Sequence, residues 1–535
     1  MPNWSRYTVF WLCLALTLVG LVLGIGDDEW VLFVIAALLS LLGAHDLLQR
    51  NHSILRNYPV IGHVRWIVEL IRPELRQYLM EADEEASPFS RSQRSLVYQR
   101  AKGQSGERPF GTLLDVYRDG FEFIAHSTCP VKAADPETFR ITIGGDRCAR
   151  PYSASVFNIS AMSFGSLSAN AVRALNAGAK RGGFYHDTGE GSISEYHREM
   201  GGDIVWEVAS GYFGCRDEQG RFDPDRFEAH AKTDQVKMIE IKLSQGAKPG
   251  HGGLLPGPKV TPEIARTRGV PMGVDCISPP RHSAFSNPRG LMEFITVLRE
   301  RSGGKPVGFK LCIGHPWEFM SIVKAMLATG VRPDFIVVDG AEGGTGAAPT
   351  EFADHIGTPM REGLLMVHNV LVGTGLRETI RIGAAGRIVS AFDIASVLAI
   401  GADWANAARG FMFALGCVQS LSCNTNHCPT GVATQDKLRQ QGLVVPDKAE
   451  RVYNFHRLTL KALSEMLAAA GLSHPDELGA HHLVRRTSTT EVKQFSQLHT
   501  FLGPGALLEP AGGEGFYHAN WALASADSFD PAKSA

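Results

Sequence analysis

The sequence predicts an α/β protein built on a (β/α)8 barrel, with an N-terminal transmembrane helical hairpin and a helical C-terminal tail. Three observations carry this reading. Between residues 155 and 416, short β-branched or apolar runs alternate with segments of helical periodicity, the pattern of parallel strands joined by helices. Eight such units fit there, the number a closed barrel needs, with an open doubly wound sheet as the alternative. Two long apolar runs precede this region, and a helix-like stretch follows it.

At the N-terminus, Thr8–Gly26 carries no charge over 19 residues, enough to cross a bilayer as a helix. Asp27, Asp28 and Glu29 break the run, and Trp30–Leu48 resumes it, with His45 and Asp46 near its end. Arg6 on one side and Arg50, Arg56 and Arg65 on the other favour both ends in the cytoplasm, with the acidic turn outside. The expectation is a two-helix anchor in the cell membrane and a cytoplasmic body. A cleaved signal peptide is the competing reading, weakened by the lack of a small-x-small cleavage site before the second run.

Residues 51–150 are polar and mixed, and 87–108, rich in Arg, Ser and Gln, reads as an exposed arm. Hydrophobic residues at 44% against 20% charged supply a sizeable core, and a net charge of −2 gives no reason to expect nucleic acid as a partner. Nine cysteines in 535 residues do not make a secreted disulfide scaffold.

The strand candidates are 156–162, 183–187, 238–243, 273–277, 307–313, 334–339, 380–384 and 403–408. A barrel places its active site at the C-terminal ends of its strands. The residues that follow the candidates suit that role: Thr188–Gly191 after the second, Lys242–His251 after the third, Asp339–Gly346 after the sixth. Gly386-Arg387 and Ala408-Arg409-Gly410, after the last two, stand where barrels bind phosphate, and backbone amides with arginines make an anion cradle. For any single loop, ordinary turn glycines explain the composition equally well; four loops converging on one face favour a site.

Directly after the eighth candidate comes GCVQSLSCNTNHCPTGVATQ, residues 416–435. Cys417, Cys423 and Cys428 are separated by gaps of five and four, with a proline after the last. Clustered thiolates of this kind suit an iron–sulfur cluster, and three ligands leave one corner of a cube unheld, pointing to a three-iron cluster. A structural zinc site wants four ligands at closer spacing. Buried small side chains or a disulfide are the plain alternatives.

From about Ser160 to Gln435 the chain resembles the FMN-binding synthase domain of the glutamate synthase family, and in particular its short relatives with an N-terminal membrane segment. The resemblance rests on SAMSFGSLS (160–168), TGEG (188–191), IKLSQGAKPGHGG (241–253), ISPP (277–280), DGAEGGTGAAP (339–349) and the cysteine stretch. It implies an FMN-bearing barrel with a [3Fe–4S] cluster on Cys417, Cys423 and Cys428, making L-glutamate from 2-oxoglutarate and ammonia. It further implies Lys242, Lys248 and Glu190 as catalytic residues, with Gln245, Lys248 and Arg268 binding the oxoacid. The flavin would lie against Ala161, Met162, Ser163, Gly343, Gly344 and Thr345, its phosphate near Gly386, Arg387, Ala408 and Arg409. Lys310, a cation inside an apolar strand, would sit near the flavin N1 region, because a buried charge there is costly unless it is used. By composition alone, Lys242 and Lys248 read as solvated loop lysines, Glu190 as a turn acid and Arg268 as a helix-surface charge.

Departures from the family pattern bear on the substrate. After KPG the family usually has Glu-Gly-Gly-Gln, and this chain has His251-Gly252-Gly253-Leu254. Ala407, Ala408 and Arg409 stand where the phosphate loop usually has glycines and serine. Neither a glutaminase domain nor a dinucleotide-binding fingerprint is evident, so the expectation is free ammonia or another amine, or a partner's glutaminase. Electrons would come from ferredoxin, a reductase subunit or a membrane carrier. A related enzyme acting on another amine or oxoacid, such as an N-methylglutamate synthase, and a non-catalytic electron-transfer subunit are the other readings. The expected domains are a hairpin (1–50), an extension packing on the barrel (51–150), the barrel with its cysteine loop (151–435) and a helical extension (436–535), with Asp447–Gly471 amphipathic.

Overall fold

The computed structural model describes residues 5–84, 88–104, 106–509 and 514–532. The chain divides into two compact units, Met1–Glu85 and Ala86–Ala535.

The first unit holds the two apolar helices, Thr8–Asp27 and Val31–Leu48. At about 1.5 Å per residue the first extends roughly 30 Å, the thickness of a bilayer core. They approach closely at Gly20, where an added Cβ would lie 2.5 Å from the Phe33 nitrogen. Thr17 and Ser40 join their hydroxyls across the pair at 3.0 Å. Asp46, fully buried at the end of the second helix, accepts from the Val60 amide and meets the His63 ring, each at 2.9 Å. That contact ties the start of a later helix, Gly62–Leu75, to the second apolar one.

The second unit is a closed barrel of eight parallel strands. In chain order these are Phe157–Ile159, His186–Asp187, Ile204–Val208, Val236–Lys242, Val307–Leu311, Phe335–Asp339, Arg381–Ala385 and Trp404–Ala407. The last pairs with the first, Asn406 opposite Asn158, and this closes the cylinder. The expected number holds, with one member exchanged. Residues 273–277 are not a barrel strand: only Cys276–Ile277 is extended, and it pairs antiparallel with Leu254–Leu255 in the long loop after strand four. The missing member is Ile204–Val208, whose apolar run is interrupted by Glu207 and follows a helix of only six residues. Lys242 therefore ends the fourth strand, not the third.

The barrel interior is layered. An apolar floor of Tyr185, Val205, Met238, Phe335, Val337 and Trp404 is plugged by the hairpin Arg140–Ile143/Tyr152–Ser155, which brings Ile143, Tyr152 and Ala154 into the same cluster. Gly383 makes room for the indole, since a Cβ there would lie 2.5 Å from Trp404 ring carbons. Above the floor, Trp404 donates to the Tyr185 hydroxyl (2.8 Å), which donates to Asn406 (2.7 Å). Asp187, Glu207, Glu240 and Lys310 form a fully buried charged layer over these groups. The side-chain period of two explains it: 238, 240 and 242 point inward on one strand, and Lys310 sits in register with Lys242.

Outside the barrel, Val445–Ala469 is one 25-residue helix. It packs on Ala169–Gly182 so closely that a Cβ on Gly178 would lie 2.5 Å from Val452. Its buried His456 reaches the Phe157 carbonyl at 3.0 Å and holds to the first strand. The C-terminal extension also contributes two strands, Leu483–Arg486 and Val492–Gln494, to a sheet with Glu122–Ile124. The reading of 87–108 as an exposed arm is corrected within its described residues. Arg91–Ala101 is a helix opened by a Ser90/Gln93 capping box, with Val97 and Ala101 wholly buried. Its arginines hid the apolar face.

Candidate active site

Loops from the C-terminal ends of the strands enclose a cavity of about 410 Å³. It is lined by Ala161, Met162 and Ser163, by Glu190, Lys242, Gln245 and Lys248, by Lys310, and by Gly343, Gly344 and Thr345. Gly386, Arg387, Ala408, Arg409 and the three cysteines complete the wall. The residues singled out from the sequence thus converge, except one. Arg268 is buried outside the lining, donating to the Phe164 carbonyl (2.9 Å) and lying over the Phe213 ring at 5.2 Å.

Close backbone contacts hold the loops together. Gly189 packs on the loop after strand one, where a Cβ would stand 2.7 Å from the Ser163 nitrogen. Asp339 accepts from the Gly246 amide at 2.9 Å and so ties the loop after strand six to that after strand four. In the latter, Ala247 adopts a left-handed conformation (φ 64°), a local cost that positions the adjacent Lys248.

Lys242 is the hub of the polar cluster. Its ammonium donates to Glu190 at 2.7 Å and to Gln245 at 2.5 Å, and lies 3.9 Å from Glu207. Burial raises the Glu190 pKa, but the charges of Lys242, Arg268 and Lys248 outweigh it and bring the group down to about 2. Lys248, 5% exposed, has its pKa lowered by burial. Among the described residues its ammonium has no hydrogen-bond or ion-pair partner. One layer down, Lys310 pairs with Glu207 and lies 3.4 Å from Glu240. Burial opposes its charge, yet the surrounding carboxylates hold its pKa well above the ordinary lysine value. In the same layer burial, then the Glu207 charge, pushes the Asp187 carboxyl up to about 7.

At the other end of the cavity, Arg409 donates to the Glu342 carbonyl at 2.7 Å and lies over the Phe89 ring at 4.7 Å. Burial, then the neighbouring Arg387, lowers its pKa to about 10. Arg387 is exposed, takes a left-handed conformation (φ 49°) and has no side-chain partner among the described residues. Two guanidiniums at one end of the cavity, one of them without a side-chain partner among the described residues, suit a bound anion.

The cysteine loop begins where the helix Arg409–Leu415 ends at Gly416. All nine cysteines are free, so the three here form no disulfide. The loop carries three non-glycine residues with positive φ, Gln419, Leu421 and Asn426. Such a backbone persists only where the surroundings over-determine it. Burial raises the Cys417 thiol to about 12; at Cys428 burial is outweighed by hydrogen bonds from Thr430 and backbone amides, which lower the pKa. The only three metal-ligating atoms within 4.8 Å of one another among the described residues belong to Asp187, Glu207 and Glu240, so the three sulfurs are spaced more widely.

Sequence reasoning missed Glu207, Glu240 and Lys259. The first two carry the same signal that identified Lys310, a charge inside an apolar strand. Lys259, 2% exposed, donates to the carbonyls of Ser166 (3.2 Å) and Cys423 (3.3 Å), and burial lowers its pKa to about 8. Nothing in its local sequence marks it. Of the departures, Leu254 lines the cavity, while His251 is exposed, lies edge-on to Phe352 at 5.2 Å, and borders a small adjoining pocket with Glu190, Lys242 and Gln245.

Residues 137–473 match the family described as the conserved region in glutamate synthase. The glutamate synthase large subunit-like protein YerD of Bacillus subtilis is 38% identical over 496 residues, 85% of this chain and 94% of that protein. The archaeal-type glutamate synthase [NADPH] of Thermotoga neapolitana is 35% identical over 59% of this chain and 60% of its own length. The archaeal glutamate synthase [NADPH] of Methanocaldococcus jannaschii is 36% identical, over 60% of each chain. This chain therefore spans about 60% of the two archaeal-type enzymes. The chain belongs to the glutamate synthase family of oxidoreductases.

Proposed function

We propose that this chain is a membrane-anchored flavin enzyme that reduces the imine of 2-oxoglutarate and ammonia to L-glutamate, with FMN in the cavity and electrons entering through a [3Fe–4S] cluster on Cys417, Cys423 and Cys428. The observation that carries the reading is Lys248, a largely buried lysine whose ammonium has no hydrogen-bond or ion-pair partner among the described residues, lining a ligand-sized cavity with Lys242 and Glu190. Burial disfavours the charge on Lys248, and an anionic substrate in the cavity would offset that cost.

The residues fit both cofactors. Ala161, Met162, Ser163, Gly343, Gly344 and Thr345 would flank the flavin, Lys310 would place positive charge below it, and Gly386, Arg387, Ala408 and Arg409 would hold its phosphate. When bound, FMN supplies the hydride and the cluster relays electrons to it. Lys248 and Gln245 hold the carboxylates of the oxoacid. Glu190, ionised down to about pH 2, stays anionic and draws the incoming ammonium to the site by charge, while the proton that frees ammonia passes to water. Condensation of ammonia with the keto group releases water, and Lys248, its pKa lowered by burial, gives the departing hydroxyl its proton. The proton that nitrogen sheds in this step returns to Lys248, which gives it to the imine nitrogen as the hydride reaches carbon and is then reprotonated from water. Arg268 acts from behind by keeping Glu190 ionised.

The membrane reading rests on two helices whose most apolar windows are only 22% buried, unlike the core helices of a soluble body. Both ends lie in the cytoplasm, and the electron donor is ferredoxin, a reductase subunit or a carrier at the membrane. Leu254 supports a second reading, in which an apolar cavity wall accommodates a different oxoacid or a substituted amine.

Flavin and iron analysis of the purified chain, with a 2-oxoglutarate titration followed in the flavin spectrum, tests the proposal. Bound FMN perturbed by 2-oxoglutarate is the expected result; absence of FMN would overturn it. FMN that responds only to another oxoacid would favour the second reading.

A further inference from the structure

Beyond the second apolar helix and a short helix, Ser53–Asn57, the helix Gly62–Leu75 and the continuing turn Arg76–Met80 present an uncovered apolar stripe. Val64, Ile67, Val68, Ile71, Leu75 and Leu79 recur at helical spacing on one side, each between 38% and 77% exposed. A contiguous exposed apolar face of this kind marks a binding surface. Arg65 and Arg72 flank the stripe on one edge, and His63 and Glu74 follow its other edge. Trp66 is turned away from it, edge-on to His52 at 5.9 Å.

Position decides what covers this face. Asp46, at the last turn of the second apolar helix, binds both the Val60 amide and the His63 ring at 2.9 Å. The start of the amphipathic helix is therefore held against the last turn of an apolar helix of bilayer length. Residues 49–80 contain five arginines and two glutamates, an excess of positive charge suited to anionic headgroups. A helix with an apolar stripe bordered by arginines lies in the plane of the membrane interface, with the stripe among the upper acyl chains and the guanidiniums reaching outward.

We propose that residues 62–80 form an interfacial helix that lies on an anionic lipid surface beside the two apolar helices. The proposal rests on the reading of those helices as membrane-spanning. Photo-crosslinking in the full-length protein, reconstituted in vesicles of phosphatidylcholine and phosphatidylglycerol, tests both and separates them. A diazirine amino acid is placed singly at Ile67, at Ile71, at Glu69 on the polar side and at Leu21 in the first apolar helix, and lipid adducts are read by mass spectrometry. Adducts at 21, 67 and 71 with little at 69 are expected. Adducts at 21 alone, with protein crosslinks at 67 and 71, would overturn the interfacial helix in favour of a protein partner or a second copy and leave the spanning helices standing. Absence of lipid adducts at all four positions would overturn both readings.

Discussion

Glu207 and Lys310 form an ion pair inside the barrel with side chains only 1% and 4% exposed, and the other carboxylate oxygen of Glu207 faces Lys242 at 3.9 Å. One acid thus joins the cation under the cavity to the cation at its mouth. Breaking a buried pair from one side leaves a charge without its partner, at about 3–5 kcal/mol. Glu207→Gln is expected to destabilise the chain by about 3 kcal/mol in chemical denaturation, since Glu240 remains near Lys310 to limit the loss. Lys310→Met, which leaves Asp187, Glu207 and Glu240 together, should cost more than Glu207→Gln. Equal or smaller loss in Lys310→Met would contradict the arrangement.

The same layer sets a pH dependence. The folded pKa of Asp187 is raised from 3.8 to about 7, so its contribution to stability is present below about pH 4 and is lost as pH rises through about 7. Asp187→Asn should flatten the fall in unfolding free energy across that interval. Glu190 acts with the opposite sign, because its folded pKa is depressed from 4.5 to about 2. Its ion pair stabilises above about pH 4.5 and is lost as pH falls toward 2. Denaturation series at several pH values, on wild type, Asp187→Asn and Glu190→Gln, separate the two limbs.

Lys248→Met removes the unpartnered ammonium without removing any hydrogen bond from the described structure. Its folding stability should hold or rise, and the KM for the oxoacid should increase by about 100-fold, the worth of a lost charge-assisted contact of about 3 kcal/mol. A kcat loss with unchanged KM would show that Lys248 does not hold the substrate.

Cys423→Ser should abolish the iron signal in electron paramagnetic resonance while leaving flavin content near wild type. Full iron retention would remove the cysteine loop from the electron path.

The barrel was legible because its strands carry β-branched runs and its loops carry glycine and charge after them. The errors share one cause. Glu207 breaks the apolar run of Ile204–Val208 and so masks a strand, while Val274 and Ile277 imitate one at 273–277. Whether such a segment joins the barrel or a two-residue ladder depends on pairing that local sequence does not encode. The lining was legible wherever residues follow a strand end. Lys259 was not, because it reaches the cysteine loop from a distant part of the chain, through the carbonyls of Ser166 and Cys423. Arg268 was recognised by motif, yet its place behind Glu190 depends on the packing of Phe164 and Phe213.

The central claim is that the cavity couples a reduced flavin to amination of 2-oxoglutarate. Anaerobic reduction of the purified full-length chain, followed by addition of 2-oxoglutarate and ammonium with the flavin absorbance recorded, tests it most directly. The account predicts reoxidation only when both substrates are present, with one glutamate formed per flavin reoxidised and with the rate collapsing in Lys248→Met. A bound flavin that stays reduced with both substrates present, or that reoxidises without forming glutamate, would contradict it.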